Sequence, residues 1–211
     1  MNRPLAAIAA LALLWAAQAV AQGTAKPDLD KGARIAKQVC AACHGADGNS
    51  IAPANPKLAG QFPEYLHKQL ANFKSQGGRK AERVDPIMAG MVAGLSERDM
   101  RDVAAYYAAQ NLQPAKATSK ELAAAGQKLW RGGNAATGVP ACAGCHGPDG
   151  AGIPSQYPRL AGQYAAYLEA QLKQFRAGAR ANDPNGMMRG VAARMTDPEI
   201  KAAAEYAAGL R

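Results

Sequence analysis

The sequence Cys40-Ala-Ala-Cys43-His44-Gly45 returns with one substitution as Cys142-Ala-Gly-Cys145-His146-Gly147. On a helical turn the two cysteines of each copy lie on one face, three residues apart, so two thiols can meet the two vinyl groups of one porphyrin. The histidine beside the second cysteine is then placed to ligate the iron. Cys-x-x-Cys-His is the attachment signature of c-type haem. The sequence therefore predicts two covalently bound haem c groups, attached through Cys40, Cys43, Cys142 and Cys145, with His44 and His146 as axial ligands.

The four cysteines also allow three other interpretations. Two disulfides are typical of an exported protein with four cysteines, but they leave the adjacent histidines unexplained. A thioredoxin-like redox pair needs a βαβ setting, for which the sequence shows no strand pattern. A tetrahedral zinc site built from both motifs would require two domains to share one metal. Haem attachment accounts for the cysteines and the histidines together.

The whole chain repeats itself at an offset of 102 residues. Beyond Phe175 the second copy is two residues shorter and the offset becomes 100. We therefore expect two homologous domains, residues 22–114 and 115–211, joined near residues 113–119, where the periodic apolar pattern stops. The offset of 102 relates Asp47-Gly48 to Asp149-Gly150, residues 56–61 to 158–163, and Phe73 to Phe175.

Both repeats have a helical pattern. Ser96-x-x-Asp99 and Thr196-x-x-Glu199 resemble capping boxes, and each precedes an apolar stripe with helical spacing. Residues 63–73 and 164–175 predict a second helical pair, and the stretch before each first cysteine predicts a third. No segment alternates as a strand does, so the predicted fold class is all-α. A domain of about ninety residues has a thin apolar core, which a large cofactor would complete.

The methionines provide candidates for the sixth iron ligand. Apart from Met1, all six lie in two windows, and only Met88 and Met188 match each other at the offset of 100. We expect these two to lie in loops and to ligate the irons opposite the histidines. Met91, Met100, Met187 and Met195 align with Val191, Ile200, Ile87 and Leu95, and are expected to be core residues. The third histidine, His67, aligns with Glu169 and is expected on a helix surface.

The first residues predict an export signal. Arg3 precedes an Ala/Leu-rich run over residues 5–20, which ends in Ala19-Val20-Ala21. This pattern is typical of a secretory signal peptide, residues 1–21, cleaved before Gln22. The alternative is an uncleaved membrane anchor. In a bacterium, export places the mature protein in the periplasm.

The mature chain is basic in both halves. Residues 22–114 carry 12 basic and 9 acidic side chains, a net charge of +3, whereas residues 115–211 carry 12 and 7, a net charge of +5. No nucleic-acid motif or dense Lys/Arg run accompanies this charge, so we expect an acidic redox partner or a membrane surface and no nucleic acid.

The two haem-attachment motifs, the repeated Leu-Ala-Gly-Gln blocks and Met188-Arg-Gly-Val-Ala-Ala193 together resemble the dihaem cytochrome c4 family, with two tandem class I cytochrome c-like domains. The resemblance implies haems that face a common domain interface. It also implies electron transfer from a bc1-type respiratory donor towards a terminal oxidase, and often a loose association with the membrane. Finally, it implies that Pro56 and Pro158 each place a backbone carbonyl against the Nδ1–H of a haem-ligating histidine.

An iron with histidine on one side and methionine on the other has no open position for a substrate. We therefore expect an electron carrier and no catalysis. The main alternative is the dihaem cytochrome subunit of an enzyme such as flavocytochrome sulfide dehydrogenase. A dihaem peroxidase needs one iron that can open, and the intact Met88/Met188 pair argues against it.

Basic side chains flank the haem-binding segments of the second half. We expect them to dock the more acidic partner, with Arg180 and Arg189 as alternative partners of the haem propionates. The set comprises Arg159, Lys173, Arg176, Arg180, Arg189 and Arg194.

Overall fold

The structure, a computed structural model, describes residues 26–211. The predicted signal peptide, residues 1–21, lies outside the described residues. The first repeat contains α1 (Leu29–Ile35), a π-helical turn (Ala36–Cys40), α2 (Ala41–His44), α3 (Pro63–Phe73), α4 (Pro86–Val92) and α5 (Glu97–Ala108). The second contains α6 (Lys120–Gly132), α7 (Ala143–His146), α8 (Ala165–Arg176), a 3₁₀ turn (Pro184–Gly186), α9 (Met187–Ala192) and α10 (Asp197–Gly209).

The fold is all-α, as predicted. Between residues 26 and 211 only isolated β-bridges occur beside the helices. Over the same residues, no helix combines the length and the hydrophobicity that crossing a membrane requires.

The first and last helices of each repeat cross at a glycine. In the first repeat, a Cβ on Gly32 of α1 would overlap the backbone carbonyl of Asp102 on α5. In the second, a Cβ on Gly126 of α6 would overlap the carbonyl of Ala202 on α10. Only glycine allows two helix backbones to approach this closely. Each crossing holds the first helix of a repeat against the last one, and the haem-attachment turn follows that first helix in the chain.

Both predicted capping boxes are present and start the last helix of each repeat. The hydroxyl of Ser96 accepts from Asp99 N at 3.1 Å, and the Asp99 carboxylate accepts from Ser96 N at 2.9 Å. Thr196 and Glu199 form the same reciprocal pair. These bonds satisfy backbone N–H groups that a helix N-terminus otherwise leaves without an intrahelical partner.

The two repeats meet through a pair of equivalent glutamines. The Gln163 amide donates to the carbonyl of Lys57 at 2.8 Å and accepts from Lys57 N at 3.0 Å. The Gln61 amide makes the same two bonds to Arg159, at 2.9 Å and 3.0 Å. Each glutamine thus caps the backbone of the opposite repeat, and the interface has approximate two-fold symmetry. The repeated Leu-Ala-Gly-Gln block is therefore an interface element.

The linker between the repeats is held against both of them. Gln113 N donates to the side chain of Asn49 at 2.7 Å, and Ala115 N donates to Gly162 O at 2.8 Å. At its far end, the carboxylate of Glu205 accepts from the backbone of Thr118 and of Ser119. The two repeats are therefore joined by an ordered connection.

Candidate haem sites

The two Cys-x-x-Cys-His motifs lie on short helical turns, as predicted. Cys40 and Cys142 cap α2 and α7 and are partly buried, whereas Cys43 and Cys145 are exposed. None of the four forms a disulfide in the described structure. Each motif therefore offers one partly buried thiol and one exposed thiol.

The two partly buried thiols, Cys40 and Cys142, are not activated as nucleophiles. Burial raises the pKa of Cys142 to about 11 and also raises that of Cys40. A reactive Cys-x-x-Cys pair requires the opposite shift, towards a thiolate at neutral pH. Within residues 26–211, no cluster of three or more His, Cys, Asp or Glu side chains could hold a metal ion. The raised pKa values of Cys40 and Cys142 thus argue against a reactive redox pair.

Both motif histidines are buried and oriented by a proline carbonyl. The Nδ1–H of His44 donates to Pro56 O at 2.9 Å, and that of His146 donates to Pro158 O at 3.0 Å. With the proton on Nδ1, the lone pair of Nε2 is the one available to an iron. Burial lowers the pKa of both imidazoles more than the carbonyl bond raises it, which favours the neutral form that a ligand requires. The structure therefore has both contacts that the family resemblance implied.

A cavity of about 410 Å³ lies in the second repeat, and α3 of the first repeat lines part of it. Cys142, Cys145 and His146 line one side of it, and Met188 also lines it. Much of the remaining lining is apolar and aromatic, including Trp130, Leu168 and Phe175. This donor set, two thiols, an imidazole and a thioether around an apolar space, fits a covalently attached haem.

Met88 and Met188 lie on helices, and the expectation of loops was wrong. Met88 is the third residue of α4, which Asp85 caps by accepting from Ile87 N and Met88 N at 3.0 Å. Met188 is the second residue of α9, which follows directly on the 3₁₀ turn. Local caps and turns start these helices even though each has only six or seven residues.

The other methionines divide into two classes. Met100 and Met195 are buried in the core, as expected. Met91 and Met187, however, are 46% and 37% exposed, so the expectation of core positions was wrong for them. A short amphipathic helix turns one face to solvent, and hydrophobicity alone does not reveal which residue of a pair faces outwards.

The two arginines expected near the propionates lie in different places. Arg180 is 5% exposed, lines the cavity and donates to side chains of both repeats. Arg189 bonds the carboxylate of Asp183 at 2.8 Å and stays partly exposed. Because it is buried, Arg180 cannot contact a docking partner.

Sequence reasoning missed the aromatic residues around His146. The indole N–H of Trp130 donates to Gly147 O at 3.1 Å, directly after the motif. The ring of Tyr157 stands edge-on to the imidazole at a centroid distance of 6.2 Å and lines the cavity. The position of Tyr157 next to Pro158 could have indicated that its ring lies near His146. The repeat gave no support for this, because Asn55 occupies the equivalent position in the first repeat.

The family model for cytochrome c matches residues 29–109 and again residues 123–210. Cytochrome c4 from Thiocapsa roseopersicina is 49% identical over 185 residues, which cover 87% of this chain and 93% of that protein. The thiosulfate dehydrogenase electron acceptor of Stutzerimonas stutzeri strain A1501 is 42% identical over 210 residues, 98% of this chain and 94% of that protein.

Among solved structures, reduced recombinant cytochrome c4 from Pseudomonas stutzeri matches with a TM-score of 0.82 at 43% identity. The match covers 88% of this chain and all of that one. The duplicated fold, the two haem-attachment turns and these relatives agree with one another. The chain therefore belongs to the cytochrome c4 family of electron-transfer proteins, with two cytochrome c domains and two covalently attached haem c groups.

Proposed function

We propose that this dihaem protein carries electrons in the periplasm, from a bc1-type respiratory donor to a terminal oxidase or similar acceptor. We further propose export by a signal peptide over residues 1–21, domain limits at residues 22–114 and 115–211, and peripheral association with the membrane. The single observation that carries the carrier role is the shared cavity of the second domain, which His146 and Met188 both line. Two strong protein ligands at one iron favour electron transfer over binding of a substrate.

The side chains around each iron have distinct roles in this proposal. His44 and His146 ligate through Nε2, because the carbonyls of Pro56 and Pro158 hold Nδ1–H. Met88 and Met188 would hold the irons together with these histidines, and their soft thioethers would favour the reduced iron and raise its potential. When bound, each haem supplies a one-electron Fe(III)/Fe(II) couple. The apolar lining excludes water and keeps the ligand set unchanged between the two oxidation states.

The test is a spectroscopic titration of the purified protein. We expect two haems per chain that remain attached after acid-acetone extraction, and two low-spin one-electron midpoints. A reduced protein that bound CO stoichiometrically without any substitution would contradict closed coordination by histidine and methionine. Recovery of extractable haem would contradict covalent attachment.

Docking of the acidic partner belongs to the second domain in this proposal. Lys173, Arg176 and Arg194 remain exposed there, and small, wet interfaces steered by charge suit carriers that must dissociate quickly. Arg194→Glu should slow the bimolecular reaction with the oxidase severalfold and flatten its salt dependence. Arg79→Glu, the same change on an exposed residue of the first domain, is the control. Wild-type rates that do not change with ionic strength would rule out electrostatic steering.

A second candidate function is electron acceptance from a sulfur-oxidising dehydrogenase. The observation that favours it is the relative named as a thiosulfate dehydrogenase electron acceptor, which aligns along nearly the whole chain. Reduction by a thiosulfate dehydrogenase with thiosulfate, faster than by a bc1-type complex, would support this role. A dihaem subunit of a flavocytochrome sulfide dehydrogenase is the remaining alternative, and copurification with a flavoprotein would support it.

A further inference from the structure

Two arginines of the two domains occupy equivalent places that sequence alignment does not reveal. Arg83 N donates to Asn72 O at 3.0 Å, and Arg180 N donates to Gln174 O at 3.1 Å. Asn72 and Gln174 are related by the repeat offset of 102, whereas the two arginines are 97 residues apart. Arg83 and Arg180 also pair with each other in an antiparallel β-bridge across the interface. The backbone therefore makes the two arginines structural counterparts.

Their side chains follow the same symmetry. The guanidinium of Arg83 lies 4.6 Å from the ring centroid of Phe73, and that of Arg180 lies 4.5 Å from the ring centroid of Phe175. Phe73 and Phe175 are again related by the repeat offset. A guanidinium stacked on an aromatic ring is held in one plane, with its N–H groups directed sideways.

The N–H groups of Arg83 reach both domains. Arg83 donates to Gln69 of its own domain at 2.8 Å, and across the interface to Gln171 at 2.8 Å and to the hydroxyl of Tyr167 at 3.2 Å. The bonds of Arg180 mirror these. It donates to Gln171 at 2.8 Å, to Gln69 at 3.1 Å and to the hydroxyl of Tyr65 at 3.0 Å.

Both guanidiniums therefore share the same two amide oxygens, which brings two like charges together at the domain interface. No carboxylate of the described residues lies within 4.0 Å of either one. The nearby Asp183 instead bonds Arg189. Arg180 is buried and Arg83 is partly buried, and like charges held this close are costly unless an opposite charge compensates them. The described residues thus give neither guanidinium a directly bonded carboxylate, and a bound anion would supply that compensation.

The position of the cluster identifies that anion. Arg180, Gln171, Tyr167, Gln69 and Tyr65 all line the haem cavity of the second domain, and they form a polar wall in a largely apolar space. Arg83 does not line the cavity itself and is joined to this wall by its bonds to the same glutamines and to Tyr167. A haem is apolar except for its two propionate carboxylates, which a guanidinium binds with its fork of N–H donors. We propose that Arg83 and Arg180 form one shared cationic site for propionates of both haems and thereby couple the two redox centres electrostatically.

A cation near a haem raises the reduction potential, since reduction adds one negative charge to the iron. A site shared by both haems must affect both potentials. Replacing Arg83 with Gln should therefore lower both midpoints, including that of the haem in the other domain, and Arg180→Gln should do the same. We expect each redox equilibrium to change about tenfold, which corresponds to about 59 mV for a one-electron couple.

The experiment is a potentiometric titration of the dihaem protein carrying Arg83→Gln, Arg83→Lys or Arg180→Gln. Arg83→Lys keeps the charge but loses the planar fork, so it should recover most of the shift of both midpoints. If Arg83 only supported packing, Lys and Gln would have the same effect, because both lose the fork. Arg79→Gln, an exposed residue of the same domain, is the matched control and should move neither midpoint.

A fall in only one midpoint would overturn the shared site, and so would equal shifts in Arg83→Lys and Arg83→Gln or unchanged midpoints. If Arg83→Gln does not yield a dihaem protein, Arg180→Gln applies the same criterion from the other side of the symmetric cluster. No redox partner takes part in the titration, so a negative result leaves the proposed carrier role intact.

Discussion

The two domains share one haem-attachment motif but surround it differently. In the first, α1 runs through a π-helical turn directly into Cys40. In the second, α6 ends at Gly132, and residues 133–141 form a separate loop before Cys142. Trp130 and Tyr157 flank the imidazole of His146, whereas Asn55 replaces Tyr157 in the first domain and donates to Cys43 O at 3.1 Å.

The chemistry of haem attachment constrains the motif residues of both domains more than it constrains the residues around them. The two thiols, the imidazole and its proline carbonyl are the same in both domains, because covalent attachment and ligation allow little choice. The aromatic packing differs, because many side chains can fill an apolar wall. We therefore expect the two haems to have the same ligands and different potentials.

The largest expected effect concerns Met88 and Met188, the proposed axial ligands, in which the domains should be alike. Met88→Ala and Met188→Ala should each open one iron, so that half of the reduced haem binds CO and one midpoint falls. Absorption spectra under CO and a redox titration measure both effects.

Met91→Ala, three residues after Met88 on the same helix, is the matched control. Because the Met91 side chain is 46% exposed, this variant should change stability by no more than about 0.5 kcal/mol and bind no CO. CO binding by Met91→Ala but not by Met88→Ala would show that the repeat alignment has assigned the wrong ligand.

The second effect concerns the symmetric glutamines. Gln163→Leu leaves the buried N–H and C=O of Lys57 without partners, and should cost about 2 to 3 kcal/mol of unfolding free energy. Gln61→Leu affects the half-buried backbone of Arg159 and should cost less, because water can replace the lost bonds. Denaturant unfolding of both variants measures the difference. Equal costs would mean that the two halves of the interface are equally well sealed from water.

The third effect concerns the aromatic groups that differ. Trp130→Phe removes the indole donor to Gly147 O in the second domain and should cost about 2 kcal/mol. Tyr107→Phe removes the longer bond to Gly45 O, 3.3 Å, in the first domain and should cost about 1 kcal/mol or less. Thermal unfolding followed at the haem absorption separates them. A larger loss of stability for Tyr107→Phe than for Trp130→Phe would show that the bond to Gly45 O contributes more than the bond to Gly147 O.

The smallest effect concerns the cap of α5. Hydrogen bonds from Lys31 and Ser96 hold the pKa of Asp99 at about 2, below its ordinary value of 3.8. Since the folded pKa is depressed, the stabilisation is present above about pH 4 and is lost as the pH falls towards 2. Asp99→Asn should cost about 1 kcal/mol at pH 7, and the gap from wild type should narrow over that window. A gap that stays constant from pH 7 to pH 2 would show that the charge of Asp99 contributes nothing.

Local patterns in the sequence were enough to predict the capping boxes, the two haem turns and the burial of Met100 and Met195. Each depends on residues close together in the chain, or on a match between the repeats. The outward faces of Met91 and Met187 were not predictable, because the direction of a short helix depends on what it packs against. The helical setting of Met88 and Met188 was missed because these helices are short and begin at local turns.

The sequence by itself determined the chemistry, two attached haems on two homologous helical domains, because the motif and its duplication are written in consecutive residues. Only the tertiary structure decided how the domains meet. Gln163 bonds the backbone of Lys57 and Gln61 bonds the backbone of Arg159. Arg83 and Arg180 become counterparts although they are 97 residues apart and not 102 or 100. The physical reason is that the loops between helices differ in length between the two repeats. Residues at equivalent positions in the two folds are therefore not always separated by the same number of residues in the sequence.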